Sequence, residues 1–248
     1  MTMMQTLRRW HYERKAMARF KVQFDQFKAL AAEGADAMPL RWEEVMPCFG
    51  DDTAGTSFDR HYVYHPAWAA RIVREIAPEE HVDISSTLHF CSMLSAFMPV
   101  RFYDYRPADL QLSGLTSESA DLLRLPFADG SIRSLSCMHT IEHIGLGRYG
   151  DPIDPTADRK AMAELQRVTA PGGHLLIVVP TGAARVVFNA HRIYSFAMIA
   201  GAFPGFELKE FALVPDDPAH GGLIRNATAH MADMQRYGCG CYWFIKNR

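Results

Sequence analysis

No segment of the chain is long and apolar enough to suggest a membrane span. Its longest aliphatic run, Leu175 to Val179, has five residues, against the roughly 20 that a spanning helix needs. Charge of one sign is missing too. Lys and Arg number 26 and Asp and Glu 28, a formal net charge of −2, so the overall balance does not call for nucleic acid as a partner. The opening residues lack an apolar core followed by a small-residue cleavage site, and a cytoplasmic protein is expected. Cysteine is sparse and odd in number: Cys48, Cys91, Cys137, Cys239 and Cys241. That count excludes a fully paired disulfide framework and reads as reduced thiols. Cys239 and Cys241 stand closer in sequence than zinc-binding pairs usually do. They read as two strand cysteines rather than a metal or redox pair, and no metal is expected. Repeats and low-complexity segments are absent.

What is present is ordinary globular usage, 48% hydrophobic and 22% charged over 248 residues, enough for one domain with an extension. Residues 1–30 carry seven Lys/Arg against Glu13 and Asp25. Met17, Phe20, Phe24 and Phe27 recur at spacings of three, four and three, so they share one face of a helix. Such a stripe packs on its own domain or on a second copy in a homodimer. A basic amphipathic helix also suits contact with an anionic membrane surface. Residues 31–60 are rich in turn formers and read as a connector. Pro66 suits the first turn of a helix, which Ala69, Ala70, Ile72, Val73 and Ile76 continue and Pro78 closes. His61, Tyr62, Tyr64 and His65 before it read as aromatic packing between extension and core, with a lid over a pocket as the alternative.

From His81 onward, short apolar runs alternate with helical ones, the pattern of βαβ units. Strands are expected at 81–84, 99–103, 131–139 and 174–179. A helix is expected at 156–169, ended by Pro171-Gly172-Gly173, and a closing strand pair at 205–213 and 240–246. Residues 61–248 then form an α/β domain, and residues 1–60 a helical extension and connector. In doubly wound sheets, ligands bind at the carboxyl ends of the strands. Four features fall there: Asp83-Ile84-Ser85-Ser86; Asp104, 21 residues after Asp83; Asp121; and His139 to His143. An acidic residue at the Asp104 spacing suits a ribose diol, because a carboxylate accepts from both hydroxyls.

The order of motifs, ADLLRLPFADGSIRSLSCMHTIEH followed by AMAELQRVTAPGGHLLIVVP, resembles class I S-adenosylmethionine-dependent methyltransferases over about residues 81–180. The runs IEHIGLGRYGDPIDP and FNAHRIYS are similar to a little-characterised branch of that superfamily, carried as a domain of unknown function. Some members of that branch are associated with bacterial polysaccharide synthesis. This likeness covers nearly the whole chain from His61. It implies a Rossmann-like, mostly parallel sheet with an antiparallel C-terminal strand, and S-adenosylmethionine as cofactor. By the resemblance, the turn from Asp83 through Ser85 and Ser86 faces the amino-acid part of the cofactor. Asp104 meets the ribose, and Asp121 the adenine amino group with Leu122 beside the ring. His139 lies at the floor of the pocket and His143 near its mouth. One departure matters. The family's Asp-x-Gly-x-Gly turn is here Asp83-Ile84-Ser85-Ser86-Thr87-Leu88, with no glycine. Glycine allows close backbone approach, whereas Ser brings a Cβ and a hydroxyl that can bind the cofactor carboxylate, cap the next helix or close the site.

The glycine-rich loop from Gly145 to Pro152 offers Arg148, Tyr149 and Asp151 as substrate-binding residues. Asn189, His191, Arg192 and Tyr194 add four polar side chains within six residues. Methyl transfer to a hydroxyl needs alignment, exclusion of water and a nearby base. Histidine has the right pKa range, so His143 or His191 is expected to serve, with Glu142 or Asp151 orienting the ring. Arg148 and Arg192 suit an anionic acceptor such as a phosphate or uronate. The expected function is methyl transfer to a hydroxyl of a small molecule or glycan. The alternative is a non-catalytic methyltransferase-like module that binds a sugar, a nucleotide or a partner enzyme. An open pocket at the glycine-free turn, with Asp104 free, favours the enzyme, whereas side chains filling it favour the module.

Overall fold

The computed structural model describes residues 3–32 and 38–248. The chain divides into two compact units, Met1–Phe58 and Asp59–Arg248. In the first, α1 (Met3–Ala31) is a long helix with one buried residue, Ala16. Two members of its apolar stripe pack on the connector. Phe20 lies 6.1 Å from Trp42 and 6.2 Å from Phe49, and Phe24 lies 5.0 Å from Trp42, between ring centroids. Met17 and Phe27 stay exposed. No helix among the described residues is long and apolar enough to cross a membrane.

The second unit runs α2 (Arg60–Ile76), β1 (His81–Asp83), α3 (Leu88–Leu94), β2 (Val100–Asp104), β3 (Leu115–Ser119), β4 (Ile132–Met138), α4 (Ala157–Val168), β5 (Thr169–Thr181), β6 (Arg185–Val187), β7 (His191–Ile193), α5 (Phe196–Ala200), β8 (Phe206–Val214), α6 (Ala229–Asp233) and β9 (Gly238–Lys246). Seven strands form one sheet in the order β3-β2-β1-β4-β5-β9-β8, and β6 and β7 form a separate hairpin. Strands β1 to β5 pair in parallel, while β9 is antiparallel to both β5 and β8. This is the Rossmann-like sheet with an antiparallel C-terminal strand that the motifs imply.

Alternation along the central strands explains their continuous apolar runs. Leu175, Ile177 and Val179 of β5 join one core layer with Leu165 of α4 and Tyr242 of β9. Leu176 and Val178 face the other layer, with Trp68 and Ile72 of α2, Phe90 of α3, and Cys239, Cys241 and Trp243 of β9. A sheet covered on both faces needs apolar residues at every position. Trp68 donates its indole N–H to Glu210 of β8 at 2.9 Å and fixes α2 on the sheet.

Three local expectations need correction. Helix α2 starts at Arg60, not near Pro66. Asp59 caps it, accepting from the Tyr62 N–H at 3.1 Å, and Pro66 sits inside it, where its missing N–H deprives the Tyr62 carbonyl of its usual helical donor. Helix α4 ends at Val168 because Thr169 already pairs with Ile132 of β4, so Pro171-Gly172-Gly173 forms a bulge within β5 rather than a helix stop. Strand β3 and the β6–β7 hairpin carry no strand-like apolar run: Leu115 is the one buried residue of β3, and β6 is exposed throughout.

Candidate active site

The carboxyl ends of β1, β2 and β4 meet the start of β9, which runs the opposite way and so delivers its first residues to the same edge. Beneath the glycine-free turn, Asp83 and Ser85 are buried. Asp83 Oδ1 accepts from Ser136 Oγ at 2.5 Å and from Ser85 Oγ, and Ser85 Oγ accepts from the Met138 N–H at 3.1 Å. Ser136 Oγ in turn meets His81 Nε2 at 2.9 Å, and His81 Nδ1 meets Ser134 Oγ at 2.8 Å. Asp83 Oδ2 is buried without a partner. Burial raises the Asp83 pKa to about 7 and lowers that of His81 to about 3. Asp83 and Ser85 therefore brace the turn from below instead of facing a cofactor, which corrects the sequence reading. The helix-capping role falls to Thr87, which accepts from His89 N. Ser86 alone is exposed, its hydroxyl 3.3 Å from that of Tyr62.

Asp104 stands half-exposed at the end of β2, its Oδ1 accepting from Arg106 N at 2.8 Å. Asp121 is exposed after β3, its Oδ1 accepting from Leu123 N at 2.9 Å. Among the described residues, the second oxygen of each carboxylate accepts no hydrogen bond. Leu122 is buried in the core beside them.

A chain of rings walls the site. Tyr62 stacks on His139 at 5.3 Å, His139 on His61 at 5.5 Å and His61 on Tyr237 at 5.1 Å. Tyr237 lies 4.9 Å from His191, His191 6.5 Å from His143, and His143 5.9 Å from Tyr149. The guanidinium groups of Arg106 and Arg148 lie 4.9 and 5.1 Å from the Tyr149 ring. His143 and His191 are thus brought near one another.

His143 Nδ1 lies 2.6 Å from the Ala190 carbonyl. A carbonyl only accepts, so Nδ1 carries a proton, and Nε2 lies 3.9 Å from Glu142 Oε1. Arg148 donates to the same carbonyl at 3.3 Å, and Asn189, at the hairpin tip with φ +62°, donates to Leu146 O at 3.4 Å. Burial first, then the neighbouring His143, lowers the His191 pKa.

Three candidates are engaged by partners within the chain. Asp151 accepts from the N–H groups of Gly145 (2.7 Å), Gly147 (3.3 Å) and Tyr149 (3.1 Å), which staple the glycine loop. Arg192 is buried, donating to Ile144 O at 2.6 Å with its Nε 3.6 Å from Asp158. Tyr194 is buried and donates to Asp158 at 3.1 Å. The last two pin the hairpin to α4, and Glu142, not Asp151, stands beside the imidazoles.

His139 sits deepest, at φ +53°. Its Nδ1 donates to Glu142 Oε1 at 2.8 Å, and its Nε2 lies 3.6 Å from Cys239 Sγ. Burial opposes a charged His139 ring, but Cys239 and Glu142 outweigh it and push the pKa up to about 10. His65 Nδ1 donates to the His61 carbonyl at 2.7 Å, leaving a buried Nε2 with no partner. Burial lowers the pKa of His61 to about 4 and that of His65 as well. Sequence reasoning missed this group of His61, His65, His139 and Cys239. Its one local signal was the four-residue spacing of His61 and His65, which counts only if α2 begins before them.

A seven-stranded sheet of this order, parallel except for β9, is the class I methyltransferase fold. N-methyltransferase NodS from Bradyrhizobium japonicum WM9, solved with S-adenosyl-L-homocysteine, matches with a TM-score of 0.53 at 13% identity, over 91% of this chain and 99% of that one. A protein from Galdieria sulphuraria proposed to be a sarcosine dimethylglycine methyltransferase matches with a TM-score of 0.52 at 13% identity, over 73% and 84%. More particularly, residues 130–219 match the family described as "Caenorhabditis protein of unknown function, DUF268", a stretch that runs from β4 through β8. No curated protein matches the sequence.

Proposed function

We propose that the protein is an S-adenosylmethionine-dependent methyltransferase acting on a hydroxyl of a small molecule or glycan. The observation that carries this reading is the state of His143. Its Nδ1–H is held by the Ala190 carbonyl, which makes Nε2 the nitrogen left to exchange a proton, and the Glu142 carboxylate 3.9 Å away stabilises the ring once it is charged. The residues present also fit the cofactor. Asp104 and Asp121 each commit one oxygen to a backbone N–H two residues on, which leaves the other for ribose hydroxyls and the adenine amino group. The hydroxyls of Ser86 and Tyr62 suit the amino-acid end. When bound, the cofactor supplies an electrophilic methyl group on a sulfonium. His143 Nε2 takes the proton of the acceptor hydroxyl as it attacks, neutral His191 hydrogen-bonds the acceptor, and Arg148 and Tyr149 hold its body. The ring wall keeps water from the reacting atoms.

Calorimetric titration with S-adenosylmethionine and S-adenosylhomocysteine, with Asp104→Ala as control, tests the cofactor. Micromolar binding that the control loses is expected. No binding up to millimolar cofactor overturns the reading and leaves the non-catalytic module, which the Tyr62–Ser86 contact across the turn favours. With an acceptor in hand, His143→Ala loses about 10²- to 10⁴-fold in turnover while cofactor affinity is unchanged. Full activity in that variant removes the base.

A further inference from the structure

We propose that His61, His139 and Cys239 bind a divalent transition-metal cation of the zinc class at the floor of the cleft. One ligating atom from each lies within 4.8 Å of the other two. They come from three separate elements: the first turn of α2, the residue after β4, and the start of β9. His139 Nε2 and Cys239 Sγ are 3.6 Å apart. A tetrahedral zinc with nitrogen at about 2.0–2.1 Å and sulfur at about 2.3 Å holds such a pair about 3.5 Å apart.

Two independent features surround these donors. Glu142 Oε1 accepts from His139 Nδ1 at 2.8 Å, the outer carboxylate that fixes the tautomer of a ligating histidine and raises its basicity. His65 is fully buried, with a bare Nε2 and its ring 5.0 Å from that of His139. An unpaired buried nitrogen costs free energy, and it adds a polar group beside the three donors without being one of them. Thiolate plus imidazole selects zinc, cobalt or copper over magnesium and calcium. Holding a non-glycine residue in the left-handed region, as His139 is, is a device of functional sites. His61 is the half-buried member and marks the side of entry. Three protein donors leave one coordination position for a water or a substrate oxygen. Loading releases the Cys239 thiol proton.

The inference does not depend on methyl transfer and is tested without turnover. The full chain, reduced and stripped with a chelator, is titrated with Co²⁺ and followed by absorbance. The expected result is one equivalent bound, with the visible bands of tetrahedral cobalt and a thiolate charge-transfer band, both removed by one equivalent of Zn²⁺. Cys239→Ser loses the charge-transfer band, and Glu142→Gln weakens affinity about 10- to 100-fold. His61→Ala, at a half-buried position, loses tight binding while its circular dichroism is unchanged. Absence of the charge-transfer band in the wild type overturns the proposal, as does unchanged affinity in His61→Ala, and the 3.6 Å contact is then a plain thiol–imidazole hydrogen bond.

Discussion

A buried carboxylate with one bare oxygen, such as Asp83, is held poorly when charged. Its pKa is raised from the ordinary 3.8 to about 7 by burial, against the two serine hydroxyls. A raised folded-state pKa gives stability that is full below 3.8 and lost as pH climbs through 7. Asn does not titrate. The stability of Asp83→Asn relative to wild type is therefore expected to grow between pH 4 and pH 8, at up to about 1.4 kcal/mol per pH unit. Urea unfolding at a series of pH values reads this directly, and a flat difference would refute it. His81 works in the opposite window: its contribution is full above 6.5 and lost as pH falls through about 3. Single residues were legible in sequence where their partners are local. Asp104 and Asp121 bond to a backbone N–H two residues on and stand where the motif spacing put them. Asp83 and Ser85 were misread because the hydroxyl that captures Asp83 belongs to Ser136, 53 residues away.

The glycine loop after β4 is held by one side chain. Asp151 satisfies the N–H groups of Gly145, Gly147 and Tyr149, and Gly145 at φ +77° leaves no room for a Cβ, which would lie 2.1 Å from the Asp154 carbonyl oxygen. Asp151→Ala leaves three donors to water and is expected to cost roughly 1–3 kcal/mol, measured by thermal unfolding. Because the loop carries Arg148 and Tyr149, the same variant raises the KM for acceptor while leaving cofactor affinity unchanged. The apolar runs of β5 and β9 and the period of α4 were readable because burial on both sheet faces writes itself into consecutive residues. Helix α2 was misplaced because Pro66 is a strong local signal and Asp59 a weak one; the cap prevailed because α2 buries Trp68, Ile72 and Val73 against the sheet. Strand β3 lies at the sheet edge with a single buried side chain, so it has no period to read. The His/Cys group was hidden for a related reason: its members span 178 residues between His61 and Cys239, and nothing short-range joins them.

Both apolar layers lie within Asp59–Arg248, and α1 buries only Ala16 among its described residues. Removing residues 1–58 is therefore expected to leave a folded unit whose Tm and circular dichroism per residue in the sheet region match those of the full chain to within a few degrees. Limited proteolysis near residue 58 provides a second reading, and an unfolded truncation product would refute the division.

Strand β9 is made after β8, yet it inserts between β8 and β5. As the chain leaves the ribosome, β8 has only its bridge to Ile224, and β5 keeps an open edge until Gly238 to Lys246 arrive. The same step delivers Cys239 to His139. Closure of the sheet and completion of the cleft are one event in synthesis, and an interrupted chain that stops before Gly238 exposes two sticky strand edges to its neighbours on the polysome.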